Sequence, residues 1–99
     1  MQFVIVARDG TDAEALGRRL NARAAHIQNT DDNMQHMHMG VATLDDDGNM
    51  NGSVMVVEFE SRAALDEWLK NEPYVTGDVW RNIAIMPCKV GPSFLKKRD

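Results

Sequence analysis

Arg23 and His26 stand three residues apart in a stretch, Arg23-Ala24-Ala25-His26, that reads as helix. Residues at i and i+3 share one side of a helix. A histidine so placed can take or give a proton near neutral pH, and the arginine beside it can hold a substrate carboxylate or enolate. The same two residue types also describe a partly exposed histidine next to an arginine whose stem covers apolar surface while its charge stays in water. Residue types alone leave both readings open.

Three other tracts carry possible chemistry. Met34-Gln35-His36-Met37-His38-Met39 offers soft ligands, and on a strand His36 and His38 would point to one side. No third ligand follows at a metal-site spacing, so the preferred reading assigns no metal: methionines pack one face, and the histidines take the other or enter a dimer interface. Residues 47–58 satisfy the calcium-loop pattern through Asp47, Asn49, Asn51, Gly52 and Glu58. An EF-hand needs a helix on each side, whereas Ser53 to Phe59 reads as a strand that carries Glu58 away. The Asp-Gly and Asn-Gly pairs therefore predict a hairpin. Cys88, next to Pro87, has no local charge pattern to activate a thiolate and is expected to be a buried structural thiol. As the one cysteine, it excludes an internal disulfide. Glycine-rich phosphate loops are absent.

The elements that would position these residues follow from periodicity and punctuation. Gln2 to Arg8 is a strand. Thr11 and Glu14 have the spacing of a capping box, so a helix should start near Asp12 and end around Thr30 to Asn33. Its apolar residues Ala13, Leu16, Leu20, Ala24 and Ile27 form a stripe expected to lie on a sheet, with Arg23 inside the stripe and Arg19 and His26 along one edge. A charge on the core side is costly unless paired, so Arg23 is expected either to reach a rim or to meet an anion in a cleft. His36 to Leu44 is a second strand and Ser53 to Phe59 a third. Ser61 caps a second helix through Asn71, with Trp68 in its buried stripe. Pro73 ends that helix, Pro73 to Trp80 is irregular or briefly helical, and Asn82 to Val90 is the last strand. Tyr74 and Trp80, in the connection, are candidates for a pocket wall or an interface.

The order β-α-β-β-α-β is the α+β, ferredoxin-like split unit, a four-stranded antiparallel sheet with two helices on one face. Strands that are apolar on both faces need cover on the other face as well. A second copy packed sheet to sheet supplies it, so a homodimer of the dimeric α/β-barrel type is expected. Ninety-nine residues make a single domain, 1–99, with 91–99 as a basic tail that carries Lys96-Lys97-Arg98. The net charge of -4 argues against a nucleic-acid partner. Without an apolar stretch of about 20 residues, no membrane partner is expected and a cytoplasmic location is the default.

Taken together, these residues resemble the YCII-like family of small dimeric α/β-barrel proteins over nearly the whole chain. The resemblance rests on Phe3 to Asp9, Arg23-x-x-His26, Gly40, Gly52-Ser53, Glu58-Phe59-Glu60-Ser61, and Glu72-Pro73-Tyr74-Val75 with Gly77 and Val79. It implies a site in a cleft near the dimer interface, centred on a histidine with an acidic partner. His26 matches the family histidine and Arg23 the arginine before it. The acidic partner falls at Glu72, where the family has aspartate, so this carboxylate is one methylene longer. Ser53 matches a serine that would offer its hydroxyl to the same pocket. Family relatives include enzymes of aromatic catabolism that eliminate halide or isomerise lactones. The expected function is thus a small-molecule enzyme of isomerase or lyase type without a cofactor. His26 and Glu72 would be catalytic, with Arg23, Ser53 and Tyr74 binding substrate. The alternative is a non-catalytic dimeric module that binds a ligand or a partner chain.

Overall fold

The alternation of Gln2–Asp9 sends Phe3, Ile5, Ala7 and Asp9 to a buried face and Val4 and Val6 to the other, as a strand's two-residue period requires. In the computed structural model, which describes residues 1–95, this strand (β1) is followed by α1 (Ala15–Asp32), β2 (Met37–Leu44) and β3 (Met50–Glu58). Then come α2 (Arg62–Leu69), a one-turn α3 (Pro73–Thr76) and β4 (Trp80–Cys88). The sheet order is β2-β3-β1-β4 with every neighbouring pair antiparallel, the expected ferredoxin-like arrangement. Phe3, Ile5, Met55 and Val57 from the sheet meet Phe59, Leu65, Leu69, Tyr74 and Val79 in one core. Each fully buried side chain of this kind contributes about 1.5–3 kcal/mol. Trp68 packs partly buried against that core, as expected.

Several boundaries follow the predicted devices. The Ser61 hydroxyl accepts from the Ala64 N–H at 3.1 Å and caps α2. Pro73 occupies the first turn of α3, where its missing N–H costs nothing. At the hairpin, the Asp45 carboxylate accepts from the N–H groups of Asp47 and Asn49, both at 2.9 Å, and Gly48 takes φ +83°. The turn is therefore organised by Asp45, while Glu58 stands at the far end of β3. β4 begins at Trp80, two residues before the expected start, and Pro87 lies within it. An edge strand tolerates the lost donor.

Helix α1 departs from expectation in two ways. It starts at Ala15 and not near Asp12, and Glu14 caps it without a side-chain bond. The capping box does not form because the Asp12 carboxylate is held by Arg18 at 2.6 and 2.7 Å and the Asp12 carbonyl accepts from Ala15. Arg18 keeps the Asp12 carboxyl well below the usual carboxylate range. The second departure concerns the face. The predicted stripe does not lie on the sheet: Leu20 is 54% exposed and Ile27 40%. Ala15, Arg19, Ala22 and His26 turn inward instead, at steps of four, three and four residues. The apolar stripe failed as a guide because the buried face of α1 is stabilised by ion pairs and ring stacking, described below.

No helix among the described residues is long and apolar enough to cross a membrane. The Lys96-Lys97-Arg98 tail lies outside the described residues; the chain before it ends in a single turn, Pro92–Phe94.

Candidate functional site

Small residues make room for the site. Ser53 on β3 pairs with Ala7 on β1 and Ala42 on β2, and Gly40 lies opposite Met55. Cross-strand partners share a face, so the sheet is shallow there and α1 spans a hollow. The result is a cavity of about 280 Å³ between α1, β2 and β3, lined by Arg23, His26, Ile27, Ser53, Met55 and Tyr74 among others. Four of the five residues expected at the site thus share one cavity. The fifth, Glu72, stands behind it.

Glu72 is fully buried and uses both oxygens. Oε2 accepts the Tyr74 N–H at 2.7 Å, capping α3, and Oε1 lies 2.5 Å from His26 Nδ1. Asn29 adds a longer bond to Oε1 at 3.4 Å. The extra methylene of glutamate therefore does not break the pairing with histidine, since the side chain spans from the α3 cap to α1. Close packing helps: a Cβ on Gly77 would meet the Pro73 carbonyl oxygen at 2.8 Å and the Ala22 side chain at 3.4 Å, so glycine lets α1 approach α3 one turn before His26. The imidazole lies flat on Tyr74, ring centres 3.9 Å apart and planes 12° apart, with Trp80 edge-on at 6.0 Å. A carboxylate at Nδ1 fixes the neutral tautomer with its hydrogen on that atom and makes Nε2 the acceptor. Nε2 has no partner among the described residues, and the ring borders the cavity.

The buried arginine is Arg19, not Arg23. Arg19 is 2% exposed; its Nε donates to Asp9 at 2.7 Å, and its Nη2 donates to Asp9 at 3.3 Å and to the Ser53 hydroxyl at 2.6 Å. Its guanidinium carbon sits 4.5 Å over the Tyr74 ring. Trp80 Nε1 donates to the same Ser53 oxygen at 3.2 Å. Arg23, expected inside a core stripe, is exposed, borders the cavity and makes no ion pair among the described residues. Burial pushes the Tyr74 hydroxyl upward, against the pull of the Arg19 and Arg23 charges. Asp9 and Arg19 were not singled out as site residues by sequence reasoning. A signal existed, because the core alternation Phe3, Ile5, Ala7 continues to Asp9, and a buried carboxylate demands a cation.

The remaining candidates take other places. His36 ends a short turn, stacks on Phe59 at 4.4 Å, and has its Nδ1 2.9 Å from the Glu58 carbonyl. His38 Nε2 instead lies 2.6 Å from the Glu58 carboxylate. The two histidines do not form the same-side pair of a regular strand, because the strand begins after His36 and a bulge falls between Met37 and Met39. His38 and then Gln2 hold the Glu58 carboxyl below its ordinary value. Cys88 is half-buried and not buried: it borders a groove with Val4, Met39 and Val56 on the sheet face that carries no helix.

A ferredoxin-like sheet whose first helix borders a cavity and carries one half of a histidine–carboxylate pair defines a small α+β domain. Its residues 1–89 match the YCII-related domain, and the chain belongs to that family. It is 31% identical over 101 residues to Protein YciI of Escherichia coli O6:H1 and of Shigella flexneri, covering 90% of this chain and 97% of each relative. Among solved structures it is similar to 5-chloro-2-hydroxyhydroquinone dehydrochlorinase from Burkholderia phenoliruptrix, in complex with 2,5-dihydroxybenzoquinone. That match has a TM-score of 0.81 and 24% identity, over 94% of this chain and 98% of that one. A dimeric ferredoxin-like protein from a Jannaschia species matches with a TM-score of 0.53 and 15% identity, over 90% and 98% of the two chains. At these identities the solved structures establish a shared fold.

Proposed function

We propose that this chain is a cofactor-independent enzyme that moves a proton on a small cyclic or carboxylated compound, in an isomerisation or an elimination. The observation that carries the reading is the His26 ring, held at Nδ1 by a fully buried Glu72 and lining the cavity, with no partner for Nε2 among the described residues. Neutral His26 removes a proton from carbon through Nε2. The C–H electron pair then either forms a double bond as halide departs, or delocalises as an enolate until the imidazolium returns the proton to a second carbon. Glu72 orients the ring and balances its charge after protonation. Arg23 faces the developing oxyanion, Ser53 hydrogen-bonds the ligand, and Tyr74 supplies the flat surface on which His26 rests. The dehydrochlorinase with the same fold lends the elimination its support.

The working unit in this reading is a homodimer. Val4, Val6, Val54 and Val56 are only half-buried on the helix-free face, where Met39 is 43% exposed and Val41 52%. Contiguous apolar surface of this sort on a sheet calls for a partner. The Jannaschia protein of this fold is a dimer, which supports the same conclusion.

The test is a turnover screen of small hydroxylated and halogenated aromatic compounds and lactones, with wild type and His26→Ala side by side. Turnover in wild type, lost in His26→Ala with ligand binding kept, is the expected result. Binding without turnover across the screen would overturn it in favour of a binding module.

A further inference from the structure

Ser53 is surrounded in a way that fixes which half of a hydrogen bond it can offer. Its oxygen lies 2.6 Å from Arg19 Nη2 and 3.2 Å from Trp80 Nε1. Guanidinium and indole nitrogens can only donate, so the hydroxyl oxygen accepts twice and both of its lone pairs are engaged. The one group left is the Ser53 O–H hydrogen, which finds no acceptor among the described residues, although Ser53 is 96% buried from solvent and borders the cavity. Neither donor is free to turn away. Arg19 is anchored by two bonds to Asp9 and lies on the Tyr74 ring. Trp80 is 5% exposed and packed edge-on against both Tyr74 and His26.

We infer that Arg19 and Trp80 make Ser53 an obligate donor into the cavity, and that the site selects a single-ring compound bearing an anionic oxygen, a carboxylate or an ionised ring hydroxyl, bound between Ser53 and Arg23. This rests on the proposed function for the location of the site and adds the polarity of the ligand. The Ser53 hydroxyl and the Arg23 guanidinium are then donors, and His26 Nε2 an acceptor, on a wall that also carries Arg19, the Thr30 and Tyr74 hydroxyls and the exposed Asp31. Donors hold the anionic oxygen, and the acceptor meets the proton that is to move. Size agrees, since an apolar cavity of about 150 Å³ takes benzene and this one of about 280 Å³ has room for a substituted ring. The walls agree too: Ile27 and Met55 are apolar, and Tyr74 is aromatic. In this scheme Ser53 and Arg23 touch the ligand, whereas Arg19 and Trp80 are positioning residues that act through Ser53.

Benzoate is the probe, followed by NMR of the two tryptophan indole N–H signals in the full chain. Benzoate should saturate wild type, bind at least about tenfold more weakly to Ser53→Ala and to Arg23→Ala, and exceed benzyl alcohol in affinity by a similar factor. Because an O–H that donates to an anion makes its oxygen a better acceptor, saturation should move the Trp80 N–H signal downfield and leave that of Trp68 in place. In Ser53→Ala the Trp80 shift should vanish even at saturation, and Ser53→Thr, which keeps the hydroxyl, should restore it. Equal benzoate affinity in wild type and Ser53→Ala, or an unmoved Trp80 signal at saturation, would overturn this assignment. The proposed function fails separately, by absence of turnover across the screen while the benzoate results hold.

Discussion

Glu72 holds His26 from a position of complete burial, with Oε1 2.5 Å from Nδ1, and the same carboxylate caps α3 through the Tyr74 N–H. One side chain thus sets both the tautomer of the candidate base and the start of the helix carrying the ring on which that base rests.

Glu72→Gln separates these duties. A glutamine can accept from only one of its two ends, so it satisfies either the His26 N–H or the Tyr74 N–H and presents a donor to the other. If the cap wins, the histidine tautomer reverses and Nε2 carries the hydrogen. The expected outcome is a fall in kcat of about 100-fold or more, with a smaller change in KM and a stability loss of about 1–2 kcal/mol from the compromised cap and buried bond. Imidazole nitrogen shifts report the tautomer directly, and an unchanged tautomer with unchanged kcat would contradict the role given to Glu72.

The Asp9–Arg19 pair governs stability. Removing one partner of a buried pair leaves the other charged and unsatisfied, so Arg19→Met should cost about 3–5 kcal/mol. Asp9→Asn with Arg19→Met together should recover much of that loss, because no lone charge remains. Denaturant midpoints of the two single variants and the double variant test it. Additive losses would show that the pair is not coupled.

The order of strands and helices along the chain, the hairpin at Asp45 and the Ser61 cap were legible in the sequence because each depends on local chemistry: alternation, turn residues and a hydroxyl three residues before its N–H. The His26–Glu72 pairing was reached through family resemblance, since 46 residues separate the partners and no periodicity links them. Helix α1 was misread for a physical reason. A stripe of Leu16, Leu20 and Ile27 outscores Arg19 and His26 on any apolar scale, yet the inward face is the charged one, because Asp9 and Glu72 wait beneath it. The unmet polar demand of Asp9 on β1 was the better guide.

Tyr74 is the one tyrosine in the chain, so its ionisation can be followed without overlap. Burial is the largest influence on its hydroxyl and raises it, while Arg19 and Arg23 oppose the rise. The neutral form is therefore favoured in the folded state relative to the unfolded one, where the hydroxyl titrates near 10. The associated stability is complete below about pH 10 and is lost as the pH rises through the folded value. Ultraviolet difference titration should show tyrosinate appearing later in the folded protein than in urea. Arg19→Met, which removes an opposing charge from the ring face, should delay it further if that variant stays folded, and Arg23→Met provides the same readout from an exposed position. Ionisation at or below the urea value would contradict the assigned direction.

Val54 tests the proposed pairing of two chains. It lies on the helix-free face between Val6 of β1 and Val41 of β2, its register partners in the two neighbouring strands. A lysine there would set a charge in the middle of a sheet-to-sheet contact, where a desolvated and unpaired ammonium costs several kcal/mol, but would cost the lone chain little because that face is open in it. Sedimentation of wild type should therefore give twice the 11.1 kDa chain mass at micromolar concentration, and Val54→Lys should give the single mass with its secondary structure retained. If turnover falls with dimer dissociation while the His26–Glu72 shifts stay constant, the partner chain completes the cleft. If both species sediment as monomers, the bare valine face has no copy of itself to cover it, and the homodimer is wrong.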